Sequence, residues 1–472
     1  MKFNFKNIIA LGFIVLTFES CTKWLNVKPE DRYTEDQVFS NVQGFEDALN
    51  GLYINMASDA LYGDNLTLTV TDVLAQLYKT NTYSSHPFYS LANYNYTDKD
   101  VKKRFDEIWT RAYVGIANIN KLLENVDSRG DDVLGLARKK IMKGELLGMR
   151  AFIHFDLLRL FGPVYDTPDS TALTIPFYSA VVAKSEPFLP ANQVMDLILE
   201  DLNASISFLE DDPARTDGYK NHNNLRFNYF AALGTKARVL LWRKDFDGAK
   251  AAAQKVVDSS DLFPWIVASK ITADVQNPDR VFYTELLFSV YSLNLYTNYN
   301  DYFYYERTDN VLAGGSAAFI NKVFENKSGD YRNSPMWKVP PLGVSYPTSF
   351  KYADIADKRA GVQQQRNIIP VIRLSEMYYI LAETEKDEAK ALGYLNTVLN
   401  HRGVASLAEG IDIQEEILKE YRKEFYGEGQ LWFYHKRKKI ARVLSAQVSN
   451  NNGTIPSTAW VLPIPDDEFA NR

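Results

Sequence analysis

LRFNYFAALGTKARVLLWRKDFDGAKAAAQKVVDS, residues 225–259, is the stretch that decides the fold. Ala237 and Leu240 stand on one side of Lys244-Asp245, and Ala249, Ala253 and Val256 follow on the other at helical spacing. The polar break at Lys244-Asp245 divides the segment into two helices. Small side chains at Ala237 and Ala249 let two antiparallel helices approach closely, the alternation of small and bulky positions seen in a tetratricopeptide-like helix pair.

The same reading extends along the chain. IRLSEMYYILAETEKDEAKALGYLNTVLNHRG (372–403) predicts a second pair, with Ala382 on its first helix and Ala391, Leu395 and Val398 on its second. Arg402 is expected in the last turn, with Gly403 at the left-handed position that ends it. A third pair joins FDEIWTRAYVGIANINKLLENV (105–126) to KKIMKGELLGMRAFIHFDLLRLFG (139–162), stopped by Gly162-Pro163. The intervals between pairs are irregular. The expectation is therefore a mainly α protein, a scaffold of helix pairs carrying long insertions.

Two insertions differ in composition. TNTYSSHPFYSLANYNYTDKD (80–100) is rich in Tyr, Asn and Ser and shows no helical period. The region 261–365 is broken by Pro and Gly and contains FSVYSLNLYTNYNDYFYYE (288–306), whose aromatics suit short strands. The whole chain holds 29 Tyr and 27 Phe but 7 Trp. A sugar ring packs its C–H face on an aromatic plane while amides and carboxylates meet its hydroxyls. On that chemistry the candidate ligand residues are Tyr83, Tyr89, Tyr94, Asn95 and Tyr96 in the first insertion and Tyr296, Asn298, Tyr299 and Tyr302 in the second. A peptide would use the same residues through its amides, and packing against the helices or a partner is the competing use of each ring. Trp109, Trp242 and Trp432 lie in helical patterns and are expected in the core. His154 reads as a packed helix histidine.

Totals narrow the function. The 472 residues carry 53 basic and 59 acidic side chains, a net charge of −6, which argues against nucleic acid. A single cysteine excludes internal disulfides and Cys-built metal centres. The five histidines form no H-E-x-x-H pair, and neither a G-x-S-x-G elbow nor a phosphate-binding loop occurs. Glu210-Asp211-Asp212 before Pro213 reads as a helix end. No cofactor, catalytic residue or metal ligand is predicted, although Asp-Asn patches at 63–65 and 328–330 have the composition of Ca²⁺ sites.

The cysteine has a telling place. Lys2 and Lys6 precede an apolar run from Ile8 to Phe18, of signal-peptide length and too short to span a bilayer. Ser20 then precedes Cys21. This resembles a bacterial lipoprotein signal, with 1–20 removed and Cys21 acylated; acyl chains anchor a soluble domain at about 0.8 kcal/mol per buried CH₂. Trp24 would pack the N-terminal arm or meet the bilayer interface.

Five segments in order resemble the SusD/RagB family: LNVKPEDRYTEDQVFSNVQGFEDALNGLY (25–53), RAFIHFDLLRLFGPV (150–164), IRLSEMYYILAETE (372–385), LNTVLNHRG (395–403) and VLPIPDDEF (461–469). The resemblance departs at EYRKEFYGEGQLWFYHKR (420–437), where Tyr421, Phe425, Leu431 and Tyr434 replace family Arg, Leu, Arg and Asp. It implies a single domain over 21–472, with an N-terminal part to about 225 and a C-terminal part from about 226. It implies an outer-membrane lipoprotein facing the exterior, which captures an oligosaccharide or peptide and passes it to a SusC-like TonB-dependent β-barrel. Two other readings stay open: a tetratricopeptide-type periplasmic assembly lipoprotein, and a glycan hydrolase, which would need two carboxylates facing across a bond.

Overall fold

A computed structural model describes residues 34–80, 84–166, 169–272, 278–304, 306–307, 311–339, 346–354 and 364–470. The leader, Cys21, Trp24 and Tyr83 lie outside the described residues. Helix α1 (Val42–Met56) starts where Asn41 accepts a hydrogen bond from the Gly44 amide at 3.1 Å. Helix α2 (Lys99–Val133) is capped by Asp98, which accepts from the amides of Asp100 and Val101, and it overruns the expected 105–126 at both ends. Gly135, at φ +71°, reverses the chain into α3 (Gly135–Phe161). From Gly144 to Phe161 every residue of α3 is buried, so this is the central helix. Gly144 and Gly148 permit that: a Cβ at Gly148 would lie 2.3 Å from the Phe227 ring.

Helices α4 (Ala191–Phe208), α5 (Tyr229–Arg243) and α6 (Phe246–Val257) continue the stack, each against the one before. The α5–α6 break falls where the sequence places it. Lys244 adopts the left-handed conformation at φ 68°, and Asp245 accepts from the Gly248 amide at 2.9 Å. After the long insertion, α8 (Leu374–Thr384) packs on α6, and α9 (Glu388–Asn400) on α8. Trp109, Trp242 and Trp432 are all in the core. His154 is fully buried in α3. Its Nε2 accepts from the Tyr178 amide at 3.2 Å, so Nδ1 carries the proton toward the Arg150 carbonyl at 2.9 Å. Burial holds its pKa down at about 3.

Among the described residues eight short strands, β1 to β8 in chain order, form four two-stranded antiparallel sheets. The central one pairs β3 (Leu286–Tyr291) with β6 (Ile368–Arg373). Arg238 of α5 clasps Glu376 through both carboxylate oxygens and donates to the Val371 carbonyl, tying the helix stack to β6. Among the described residues of 288–306 only the first four are strand. Leu295–Tyr302 is instead a helix, α7, which corrects the expectation of short strands there. Leu295, Asn298, Tyr299 and Tyr302 recur at i, i+3, i+4 and i+7, and that spacing outweighed the preference of the rings for pleated surfaces.

Helices α10 (Ile413–Glu424) and α11 (Gln430–Lys438) close the fold. In the turn between them Gly427 and Gly429 take φ of +72° and +73°, and their amides donate to the buried carboxylate of Asp72. The family departures here are mutually consistent: the Tyr421 ring lies 4.5 Å from Tyr434 and 4.9 Å from Phe425. An aromatic cluster thus fills the region where the sequence departs from its resemblance.

Beside it sits a buried knot of charges. Glu424 accepts from Arg402 at 2.6 Å, Arg332 at 2.9 Å and Arg373 at 2.5 Å. Arg402 also grips both oxygens of Glu285, Arg373 reaches Glu428, and Arg332 reaches Asp330 and Glu420. Arg402 is therefore not in the last turn of α9, which ends at Asn400. It lies two residues beyond, drawn into the core by its carboxylates. Gly403 has the expected positive φ, +74°; a Cβ there would meet the Gly329 carbonyl oxygen at 2.4 Å.

Candidate functional site: a tyrosine-rich face

The two aromatic insertions, about two hundred residues apart in sequence, meet in space. The Phe88 ring stands edge-on to Tyr302 at 5.5 Å, and Tyr78 packs on Phe303 at 5.4 Å. A β-bridge pairs Lys79 with Ala313, the Lys79 amide donating to the Ala313 carbonyl at 2.7 Å. Helix α7 is bolted down from below: Asn298 and Asn294 both donate to Asp59, at 2.9 and 3.1 Å, and Asn298 also reaches the Gly63 carbonyl.

The candidate residues separate by environment. Asn298 and Tyr299 are buried, and Tyr299 stacks on Phe303 at 6.2 Å. Tyr94, at φ 57°, donates to the Leu74 carbonyl at 3.0 Å, and Tyr96 donates to the Ala459 carbonyl at 2.8 Å while standing edge-on to Phe105. Burial pushes both phenols up. Tyr296 accepts from the Asn367 amide at 3.0 Å beneath the Arg366 guanidinium, its pKa raised by burial to about 12. Tyr94, Tyr96, Tyr296, Tyr302 and Tyr89 are half-buried, each keeping part of its surface in solvent, and Asn95 is exposed. The insertions thus present four anchored tyrosines, Tyr94, Tyr96, Tyr296 and Tyr302, with Tyr83 outside the described residues.

Residues that sequence reasoning did not select complete the face. Tyr346 is exposed with the Lys79 ammonium 5.0 Å from its ring centre, and Tyr304 donates to Glu306 at 2.8 Å. Arg104, from α2, lies 4.4 Å over the Phe88 ring. Nothing local marks Tyr346 or Arg104. Their neighbours come from other parts of the chain.

Under this surface lies Asp64, 4% exposed, with no hydrogen-bond partner for its Oδ1 among the described residues. Burial raises its pKa to about 7, outweighing the pull of Thr69, Arg104 and Tyr302. Of the two Asp-Asn patches, 328–330 is committed elsewhere, since both oxygens of Asp330 bind Arg332. Among the described residues no group of three or more His, Cys, Asp or Glu is placed to hold a metal ion.

Solved structures of SusD superfamily proteins share this fold. The structure of a SusD superfamily protein from Bacteroides thetaiotaomicron overlays with a TM-score of 0.69 at 22% identity, covering 91% of this chain and 98% of that one. Surface glycan-binding protein A from the same organism, solved with laminarihexaose, overlays with a TM-score of 0.67 at 17% identity over 91% and 97% of the two chains. At such identities these likenesses establish the fold. The chain belongs to the SusD/RagB family. A SusD-like model described as "starch-binding associating with outer membrane" matches residues 23–241, and the SusD family model matches 294–468. SusD-like protein P2 of Formosa agariphila is 24% identical over 98% of this chain and 97% of its own length.

Proposed function

We propose that this protein is a non-enzymatic receptor that captures an oligosaccharide on its tyrosine face and hands it to a SusC-like TonB-dependent β-barrel. The observation that carries the reading is the convergence of residues 84–98 and 295–304, with the rings of Tyr94, Tyr96, Tyr296 and Tyr302 held from behind by protein hydrogen bonds or packing. Rings fixed in advance lose little entropy when a ligand settles on them. Half-buried Tyr302 and exposed Tyr346 offer faces to sugar C–H groups, and Asn95 and Asn300 offer amides to hydroxyls. Membership of the SusD/RagB family and the laminarihexaose bound by one structural neighbour both favour a glycan over a peptide.

Acylation of Cys21 would hold the receptor at the outer membrane, exposed to the medium, and no described helix is long and apolar enough to cross a bilayer. The proposal places 21–472 in one domain.

Calorimetry against neutral glycan and peptide panels tests the reading. Binding of a glycan without turnover, weakened by Tyr302→Ala and Tyr346→Ala, is the expected result. Binding of peptides alone would overturn the ligand class, and released sugar would make the protein a hydrolase. Co-purification with a large β-barrel from detergent tests the partner, and mass spectrometry at Cys21 tests the anchor.

A further inference from the structure

A cleft of about 670 Å³ opens beside the tyrosine face, between α1, α3, the 212–228 loop and the end of β3. That volume lies within the range of about 300–1,000 Å³ usual for small-molecule sites. Asn367 joins the two regions: its amide donates to Tyr296 on the face, and its side chain donates at 2.8 Å to Tyr291 at the cleft rim. Tyr291 is 48% exposed, and Ile54 across from it on α1 is 73% exposed.

The charges on the inner wall are already matched. Glu145 takes two hydrogen bonds from Arg226, at 2.9 and 3.0 Å, and a third from Tyr53 at 2.5 Å. The carboxylate of Asp212 accepts from the amides of Ala214 and Tyr229. Arg226 is the one Lys or Arg among the described lining residues, so the wall offers no free cation to an anionic ligand. It does offer donors: the Arg226 side chain is 39% exposed while its Nε and one terminal nitrogen hold Glu145. The loop that carries it passes through two successive left-handed residues, Asn221 and His222, at φ 55° and 61°.

We infer that this cleft is a second carbohydrate site, specific for neutral sugar residues. Tyr291 provides the stacking plane, and the outer edge of Arg226 provides donors to hydroxyls. The inference rests on the receptor reading but uses none of the residues of the tyrosine face.

The test uses the full-length purified protein, with laminarihexaose and a uronate hexasaccharide as probes. Tyr291→Ala is expected to weaken laminarihexaose binding about three- to tenfold, the worth of one stacked ring. Tyr291→Phe, which keeps the ring, should bind like the parent. Diethylpyrocarbonate labelling gives an independent readout, because His222 and His401 are both exposed and only His222 lines the cleft. Saturating laminarihexaose should protect His222 and leave His401 reactive. Loss of binding in Tyr302→Ala together with unchanged binding in Tyr291→Ala and an unprotected His222 would overturn the second site and leave the receptor reading standing. Absence of any glycan binding by the parent protein would overturn both. Equal protection by the uronate would overturn the restriction to neutral sugars.

Discussion

Two regions of this molecule gather polar side chains from distant parts of the sequence and use them in opposite ways. Around Glu424, arginines from β6, from the turn after α9 and from residue 332 converge on carboxylates until each charge has partners, all at 0–3% exposure. At the tyrosine face, side chains from 79–104, α7 and 346 converge without closing over one another, and rings and amides stay accessible. The knot satisfies itself. The face is satisfied behind and open in front, the condition of a surface that exchanges water for ligand. Polar convergence alone therefore does not mark a site; what separates the two is whether the groups saturate each other.

The comparison can be broken at several points. The largest effect is expected at the knot. Glu424→Gln leaves three buried guanidinium groups short of a counter-charge and should cost about 3–5 kcal/mol in urea unfolding. Glycan affinity of the remaining folded protein should be unchanged. If affinity fell with stability, the two regions would not be independent.

The pH dependence of the two should differ in sign. The arginines hold Glu424 well below the usual carboxylate range, despite burial. Its contribution is present above the unfolded value near 4.5 and is lost as pH falls further. Asp64, under the face, is raised from 3.8 to about 7, so its folded state prefers the proton and stability is lost as pH rises between those values. Asp64→Asn should accordingly stabilise the protein by about 2–3 kcal/mol at pH 8 and by nothing at pH 4. Thermal melts across that range decide it. A gain of equal size at both pH values would deny the titration.

Smaller effects belong to the face itself. Tyr302→Ala is expected to weaken oligosaccharide binding about five- to tenfold. Asn95→Ala, at an exposed amide, should weaken it by about threefold or less, the worth of one solvent-competed hydrogen bond, with no change in melting temperature. Calorimetry measures both. A binding loss for Asn95 larger than for Tyr302 would mean that amides rather than rings carry recognition.

Much of the scaffold was legible in residue order, for local reasons. The break at Lys244-Asp245, the stop at Gly162 and the positive φ of Gly403 follow from spacing, capping chemistry and the freedom of glycine. The two insertions were visible as a change in composition. Helix α7 runs against the strand preference of its rings because the i, i+3, i+4, i+7 spacing of Leu295, Asn298, Tyr299 and Tyr302 gathers them on one helical face. Tyr346, Arg104 and the cleft around Arg226 left no local trace, since their surroundings come from residues tens to hundreds of positions away.

The sequence by itself thus determined a helix-pair scaffold of the SusD/RagB kind, because helical period and turn chemistry act over a few residues. Only the tertiary structure decided that Tyr299 and Asn298 face inward while Tyr302 keeps an open surface. It also decided that Arg402 belongs to a buried knot rather than to a helix end, and that a cleft opens beside Tyr291. Burial and charge pairing depend on which distant segments meet, and no local pattern records that.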